Sequence, residues 1–276
     1  MEVENNGQVA NPPQLDISEL TTGKLFNLKG KVALITGATG ALGAAVAMAL
    51  AVNGVNLVLS SMEEKRLQEL TEKVQGHGVK ALAFYCDVVS ETQVDQMVTV
   101  AVDKLGKIDI LLTCAGLAHR ELLLEQSLEN WQRVMDVNVQ GTLLCCKSVA
   151  RQMIKQGEGG SIITVGSVRG FHGHRDGYSG YGTSKAAVHY LTKTLAFEWA
   201  EHNIRVNCVA PCVFWSDLTA PILSDAKNSQ QYISRIPLAR AARPEDFVGA
   251  VIYLASNASS MVTAHILSVD GGVVGG

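Results

Sequence analysis

Short apolar runs alternate with longer stretches of mixed apolar and polar residues from residue 31 to the end of the chain. Seven of these runs are continuously hydrophobic, which is typical of strands buried on both faces of a parallel sheet. They are VALIT (32–36), VNLVLS (55–60), KALAFYC (80–86), IDILLTC (108–114), GSIITVGS (160–167), IRVNCVA (204–210) and HILSVD (265–270). Helical patterns lie between them, so the sequence predicts strands and helices in regular alternation.

This alternation predicts the fold class. It indicates an α/β protein, a single doubly wound, Rossmann-type domain around a seven-stranded, mainly parallel sheet. Ser90 with Gln93 three residues later is a capping-box pattern that marks one helix start, and Pro244 before two acidic residues marks another. No break in composition suggests a second domain. We therefore expect one domain over residues 29–276, preceded by a flexible N-terminal extension over residues 1–28, which show no period.

Composition narrows the class of protein. Hydrophobic residues make up 47% of the 276 residues, which suits a large packed core. The net charge of −3 provides no basic field for nucleic acid. No apolar run reaches the ~20 residues that cross a bilayer, and the polar N-terminus lacks a secretory layout. The six cysteines form no C-x-x-C pair and the histidines no ligand pattern, so we expect reduced thiols, no metal site and a cytoplasmic location.

A glycine-rich loop follows the first predicted strand. TGATGALG (36–43) has glycines at 37, 40 and 43 and leads directly into a helix. Glycines here let the backbone turn tightly and approach a pyrophosphate, while the helix N-terminus offers amide donors. A purely structural strand–helix turn is the alternative interpretation.

Four further residues carry candidate chemistry. Tyr181 and Lys185 lie four apart on one predicted helix, so they address the same side of it, and a nearby ammonium group stabilises a phenolate. Ser167 ends a predicted strand, at the edge of the sheet where ligands of this fold bind. Asn138 lies among apolar helical residues and needs buried partners. The structural alternative for the tyrosine–lysine pair is an exposed pair on the helix surface. For the serine, the structural alternative is termination of the strand.

These motifs resemble a known family. TGATGALG resembles the TGxxxGxG signature of classical short-chain dehydrogenases/reductases, and Asn138, Ser167, Tyr181 and Lys185 match its Asn-Ser-Tyr-Lys tetrad in order and approximate spacing. The resemblance covers nearly all of residues 28–272. It implies an NAD(P)-dependent oxidoreductase acting on CH–OH groups, in which Tyr181 exchanges the proton, Ser167 orients the substrate oxygen, Lys185 assists the tyrosine and holds the nicotinamide ribose, and Asn138 anchors a water.

The resemblance also implies a set of cofactor-binding residues. They are Gly37, Thr39, Gly40, Ala41, Leu42, Gly43, Ser61, Met62, Asp87, Val88, Ala115, Gly116, Tyr181, Lys185, Pro211, Val213 and Ser216. Some positions depart from the family pattern: Ala41 replaces a glycine, Cys114 an asparagine, Cys212 a glycine and Ser216 a threonine. We therefore expect a phosphate loop with a slightly different path.

The choice of cofactor depends on the end of the second strand, where NAD enzymes carry an acid and NADP enzymes a nearby arginine. Ser61 and Met62 occupy these positions. The missing acid favours NADP, and Lys65 and Arg66 are near enough in sequence to swing towards a 2′-phosphate. NAD stays the alternative because Glu63 and Glu64 oppose an extra phosphate.

The substrate is expected to be a small polar molecule: a sugar, a polyol, or a hydroxy or keto acid. Ser167, Arg169, His172, His174 and Trp215 are its predicted pocket, and residues 214–242 a lid over it. This agrees with a loose similarity to sugar- and polyol-type members of the family. A general carbonyl or 3-oxoacyl thioester reductase, and a non-catalytic dinucleotide-binding scaffold, remain alternatives. The family also implies a homo-oligomer, a tetramer or a dimer.

Overall fold

The computed structural model describes residues 16–216 and 219–275. Seven strands form a single sheet in the order β3-β2-β1-β4-β5-β6-β7, and every neighbouring pair is parallel. They are β1 (Val32–Thr36), β2 (Asn56–Ser61), β3 (Ala81–Tyr85), β4 (Ile110–Thr113), β5 (Gly160–Val165), β6 (Ile204–Pro211) and β7 (Ile266–Val269). The doubly wound α/β sheet expected from the apolar runs is therefore confirmed.

Helices cover both faces of this sheet. They are α1 (Thr22–Leu25), α2 (Ala41–Val52), α3 (Glu64–Gln75), α4 (Glu91–Leu105), α5 (Leu128–Met135), α6 (Gly141–Gln156), α7 (Ser179–Trp199), α8 (Ala220–Ser224), α9 (Ala226–Ile233) and α10 (Pro244–Ala255). A π-helical segment, Asp136–Gln140, joins α5 to α6 without a break.

The core has two halves, one on each side of the sheet. Successive side chains of a strand point to opposite faces, so Ile35 packs with α2 and α10, while Leu34 packs with α4, α6 and α7. Both side chains are fully buried. The continuous hydrophobicity of β1 thus follows from its burial on both faces.

The predicted start of α4 is confirmed, with one difference. Ser90 Oγ accepts a hydrogen bond from the Gln93 backbone N–H at 3.4 Å. The Gln93 side chain does not complete a capping box with Ser90, because it accepts from the backbone N–H of Asp87 at 2.9 Å. This glutamine therefore fixes the loop after β3, one of the loops at the carboxyl edge of the sheet.

The described part of the N-terminal extension contains two short elements, a 3₁₀ turn at Ile17–Leu20 and α1. It is exposed apart from Leu28, which enters the core beside α2. Residues 1–15 lie outside the described residues, so the expected flexibility of the extension stays a prediction. Across the described ranges no helix is long and apolar enough to span a membrane, and no group of three potential metal ligands is found.

The order of the strands positions the site. The sheet grows outward from β1 to β2 and β3 on one side and from β4 to β7 on the other. The loops after β1 and β4 therefore leave in opposite directions and open a crevice at the carboxyl edge, which is where ligands of such sheets bind.

Candidate active site

The glycine-rich loop after β1 packs tightly against the loop after β4. Gly37 has a φ of +62°, and a Cβ atom there would lie 2.6 Å from the backbone of Ala115. A Cβ atom on Gly43 would collide with the Gly37 carbonyl oxygen. Glycine is required at both positions because the neighbouring backbone leaves no room for a Cβ atom. Gly40, by contrast, caps α2 with no side chain and lines the cleft, so the first turn of α2 faces open space.

Tyr181, Lys185 and Ser167 converge on one cleft of about 380 Å³ at the carboxyl edge. Lys185 Nζ lies 5.8 Å from the centre of the Tyr181 ring. Ser167 follows β5, and its Oγ accepts a hydrogen bond from the Arg169 backbone N–H at 3.1 Å. This bond fixes the hydroxyl oxygen while leaving its proton free to be donated into the cleft. The structure thus brings three of the four predicted tetrad residues together.

Asn138 lies behind this cleft, on the π-helical segment, and is completely buried. Its Oδ1 accepts from the Leu117 N–H at 2.7 Å, and its Nδ2 donates to the Leu117 carbonyl oxygen and to Ser184 Oγ, both at 2.9 Å. Ser184 Oγ in turn donates to the Tyr181 carbonyl oxygen at 2.7 Å. Asn138 therefore ties the loop after β4 to the helix that carries Tyr181. The water-anchoring role stays a prediction.

The cofactor residues implied by the resemblance fall into two groups. The first lines the cleft: Gly40, Ala41, Leu42, Gly116, Tyr181, Lys185, Pro211, Val213 and Ser216. The second lies outside the cleft lining, at or shortly after the carboxyl ends of β1, β2, β3 and β4: Gly37, Thr39, Gly43, Ser61, Met62, Asp87, Val88 and Ala115. Ser61 Oγ is buried and lies 2.7 Å from Thr39 Oγ1, whereas Met62 is 57% exposed. Of Ser61 and Met62, the methionine is thus the residue open to solvent.

Cys114, which stands where the family has an asparagine, also lines the cleft. Burial raises the pKa of its thiol to about 11, against the opposing effects of the Lys185 charge and the Gly43 N–H. It therefore contributes a neutral thiol at neutral pH.

The structure brings only some residues of the predicted substrate pocket together in the cleft. Ser167 and Arg169 line the cleft, but His172 and His174 line a neighbouring depression, because the 3₁₀ turn Val168–Gly170 leads the chain away from the cleft. Trp215 is 41% exposed and lines neither cavity among the described residues. Its backbone N–H donates to Ala242 at 2.9 Å, which fixes the start of the predicted lid instead.

Three residues that the sequence analysis did not single out complete the mouth of the cleft: Arg120, Tyr178 and Tyr232. The guanidinium carbons of Arg169 and Arg120 lie over the Tyr178 ring, 5.1 and 5.9 Å from its centre. Tyr232 Oη is 3.4 Å from both Tyr178 Oη and an Arg120 nitrogen. Among these three, Arg120 could have been found from its position in the sequence: it follows β4, and ligands of this fold bind beyond the carboxyl ends of strands.

The mouth is positively charged. Burial lowers the pKa of Arg169, yet arginine remains protonated in proteins. Burial, and next the Arg169 charge, lower the pKa of His174, so this ring is neutral at pH 7. In the described part of the chain, neither Arg120 nor Arg169 has a carboxylate in salt-bridge range. Burial and the Tyr232 hydroxyl raise the pKa of Tyr178 to about 12, which keeps its phenol uncharged.

The cleft fits a nicotinamide dinucleotide. Gly40 and Gly116 leave side-chain-free backbone along its wall, and the N–H groups of the first turn of α2 face it, as a pyrophosphate requires. Lys185, buried and directed into the same cleft, is the donor that a ribose hydroxyl needs.

Comparison with known proteins agrees with this geometry. A family model described as enoyl-(acyl carrier protein) reductase matches residues 37–274. The chain is 43% identical over 252 residues to an uncharacterized oxidoreductase of Mycobacterium tuberculosis, covering 90% of this chain and 92% of that protein. It is 40% identical over 247 residues to the 2-dehydro-3-deoxy-D-gluconate 5-dehydrogenase of Dickeya dadantii, covering 90% and 96%. It is 36% identical over 249 residues to the 3-oxoacyl-(acyl-carrier-protein) reductase of a Synechocystis species, covering 90% and 98%.

Among solved structures, the fold matches a gluconate 5-dehydrogenase from Burkholderia cenocepacia in complex with NADP and tartrate. The TM-score is 0.86 at 33% sequence identity, covering 91% of this chain and 98% of that one.

Proposed function

Because the chain belongs to the short-chain dehydrogenase/reductase family, whose members are NAD(P)-dependent oxidoreductases acting on CH–OH groups, we propose that it interconverts the secondary alcohol and the ketone of a small hydroxylated carboxylate. The observation that carries this proposal is the juxtaposition of Ser167, Tyr181 and Lys185 in one cleft with the guanidinium groups of Arg120 and Arg169, which form no salt bridge within the described residues.

The side chains divide the chemistry between them. Tyr181 donates its phenolic proton to the carbonyl oxygen during reduction and recovers it from the alcohol during oxidation. The Ser167 hydroxyl donates a hydrogen bond to the same oxygen and orients it. Lys185 stabilises the phenolate by its charge, and Asn138 holds the helix that carries Tyr181 in place. NAD(P), when bound, supplies or accepts the hydride.

The charge at the mouth supports the substrate class. A carboxylate between Arg120 and Arg169 gains two charge-assisted partners, and the chain offers no acidic side chain that already pairs with them in the described residues. The hydroxyls of Tyr178 and Tyr232 add polar contacts nearby. The crystallised relative that holds tartrate, a small hydroxylated dicarboxylate, agrees with this class.

We also propose NADP as the preferred cofactor. Ser61, which takes the place of the acid typical of NAD enzymes, is neutral and already bonded to Thr39, so nothing at this position repels a 2′-phosphate. The crystallised relative with bound NADP supports the same choice.

Residues 214–242 are proposed as a lid. Both ends of the segment are fixed, since Trp215 N–H donates to Ala242 O and Ala242 N–H to Val213 O. From this segment, Tyr232 reaches Tyr178 on the opposite wall of the cleft, and Arg235 reaches His174 in the neighbouring depression. Residues 217–218 of the segment lie outside the described residues. A segment held at its ends and in contact across the cleft suits closure over a substrate.

Two broader expectations remain proposals. A cytoplasmic location is supported by the six free cysteines, as thiols persist in reducing compartments. Assembly into a homo-oligomer is supported by exposed apolar side chains on α6 and α7, among them Leu143, Tyr190 and Phe197.

The proposal is tested by measuring turnover of matched substrates with both cofactors. Aldonates and ketoaldonates are compared with neutral ketoses and polyols of the same chain length, and acetoacetyl thioesters test the 3-oxoacyl alternative. We expect the carboxylates to have the highest kcat/KM. Arg169→Gln should raise KM for the carboxylates and leave KM for the neutral analogues within about twofold, because it removes one charge-assisted bond worth a factor of ~10 or more. A preference for thioesters would overturn the substrate class, and the absence of any turnover would overturn the enzymatic proposal.

A further inference from the structure

His189 lies directly behind the loop that carries Ser167. It follows Lys185 by four residues and Tyr181 by eight on α7, so all three side chains lie on one side of the helix. Its ring is 7% exposed. The backbone N–H of Ser167 donates a hydrogen bond to His189 Nε2 at 3.4 Å.

Neighbouring residues shape the space for this ring. A Cβ atom on Gly166 would collide with His189 Nε2, and one on Gly170 would lie 2.5 Å from Cε1. Phe171 packs against the ring with a centroid distance of 4.6 Å. Both glycines and the phenylalanine therefore enclose the imidazole within the turn that follows β5.

The ring is in the form that this contact requires. Burial, followed by the charges of Lys185 and Lys193, lowers the pKa of His189 to about 4. The imidazole is therefore neutral at neutral pH, and since Nε2 accepts a hydrogen bond from the Ser167 N–H, the ring's own proton is assigned to Nδ1. In a protonated imidazole, Nε2 would carry a hydrogen that faces the Ser167 N–H, so the hydrogen bond between them would be lost.

We infer that His189 is a positioning residue for the reaction: it fixes the backbone of Ser167 from behind, while the Arg169 N–H fixes the hydroxyl oxygen from the front. Together the two bonds set the direction in which the Ser167 hydroxyl donates to the substrate oxygen. This inference rests on the role of Ser167 in the proposed function, and it requires no particular substrate.

A matched pair of variants tests it. His189→Gln retains an acceptor near the position of Nε2, and His189→Met has nearly the same shape without that acceptor. We expect kcat with the best substrate to fall roughly tenfold in His189→Met, about the effect of one hydrogen bond, and less than threefold in His189→Gln. The Kd for NADPH, measured by calorimetry, should stay the same in both. Equal kcat values for the two variants would overturn the inference. If the His189 side chain only filled space, glutamine would support no higher kcat than methionine.

A double-mutant cycle with Ser167→Ala separates this inference from the proposed function. If His189 acts through Ser167, His189→Met costs less than twofold in the Ser167→Ala background, measured in single turnover. A full tenfold loss there would overturn the inference while leaving the function intact. An unchanged kcat in Ser167→Ala alone would instead contradict the proposed role of Ser167.

Discussion

Lys185 Nζ donates a hydrogen bond to the backbone carbonyl oxygen of Val165, the last residue of β5, at 2.8 Å. The bond joins the middle of α7 to the sheet directly before the loop that carries Ser167. It also holds the ammonium group on the cleft side of the helix, 5.8 Å from the Tyr181 ring. The charge that assists the tyrosine is thus fixed by the backbone, and no carboxylate partner is found for it in the described residues.

Lys185→Met should impair both catalysis and cofactor binding. It removes the charge that stabilises the phenolate and the donor that a ribose hydroxyl needs, so we expect kcat to fall by a factor of ~10² or more and the Kd for NADPH to rise. Turnover assays and calorimetry measure the two effects. The control is Lys193→Met, two turns further along α7 and outside the cleft lining, which should change neither quantity. A normal Kd in Lys185→Met would contradict its cofactor role.

Tyr181→Phe should abolish turnover and leave cofactor binding nearly unchanged. The ring is retained, and only the proton donor is lost, which typically costs a factor of ~10²–10⁴. Steady-state rates over pH 6–9 and NADPH titration check both parts. Tyr178→Phe is the matched control, because it removes a phenol from the mouth of the same cleft and should raise KM more than it lowers kcat. Comparable activity of Tyr181→Phe and the unsubstituted protein would refute the mechanism.

The relative positions of candidate residues on regular helices and strands could be predicted from the sequence. Tyr181 and Lys185 share a helix face, and Ser167 lies two residues after the end of β5, so periodicity and strand order suffice to bring them together. The mouth is different, since Arg120 and Tyr232 are 112 residues apart and meet through loops and a short helix. No periodic pattern in the sequence predicts a contact between loops that are so far apart along the chain. The position of His172 outside the cleft has the same cause, because the course of the turn after Ser167 depends on tertiary packing around Phe171 and His189.

Met62→Arg should shift cofactor preference towards NADPH. Met62 is the exposed residue at the end of β2, where a guanidinium group can pair with a 2′-phosphate. We expect the ratio of kcat/KM for NADPH over NADH to rise by about tenfold, in line with one charge-assisted hydrogen bond. Met62→Gln, neutral and of similar length, is the control. An unchanged ratio in Met62→Arg would mean that the ribose end of the cofactor lies elsewhere.

His189 should make stability depend on pH in a definite window. Its pKa is about 4 in the folded protein, below the ordinary value of ~6.5. As pH falls from ~6.5 to ~4, the unfolded chain binds a proton that the folded chain does not, so the free energy of unfolding decreases, by at most ~3 kcal/mol from this group. The charges facing the ring, Lys185 and Lys193 on α7, act in the same direction.

Urea denaturation at pH 7 and pH 4.5 tests this expectation. His189→Gln should lose less stability on acidification than the unsubstituted protein, and His77→Gln, which removes an exposed imidazole, is the control. Parallel losses in the unsubstituted protein and His189→Gln would contradict the assignment of a buried neutral ring.

The amides of the proposed lid should become more protected from hydrogen exchange when cofactor and substrate occupy the cleft. Amides of residues 219–242 are expected to exchange more slowly with deuterium in the presence of cofactor and substrate, because closure strengthens the contacts of Tyr232 and Arg235 across the cleft. Amides of β5 serve as the internal reference. Identical exchange with and without ligands would show that the segment is a fixed wall.

The π-helical segment Asp136–Gln140 has a consequence for the effect of deletions. A π turn holds one residue more than an α turn, so removal of a single residue would let the backbone close into an uninterrupted α-helix. Because the π turn absorbs this extra residue, the side chains of α5 and α6 would keep their faces after its removal, and Val134 would stay in the interior. Loss of one codon in this stretch is therefore expected to preserve the packing of α5 and α6 and to act locally, by moving Asn138 away from Leu117 and Ser184.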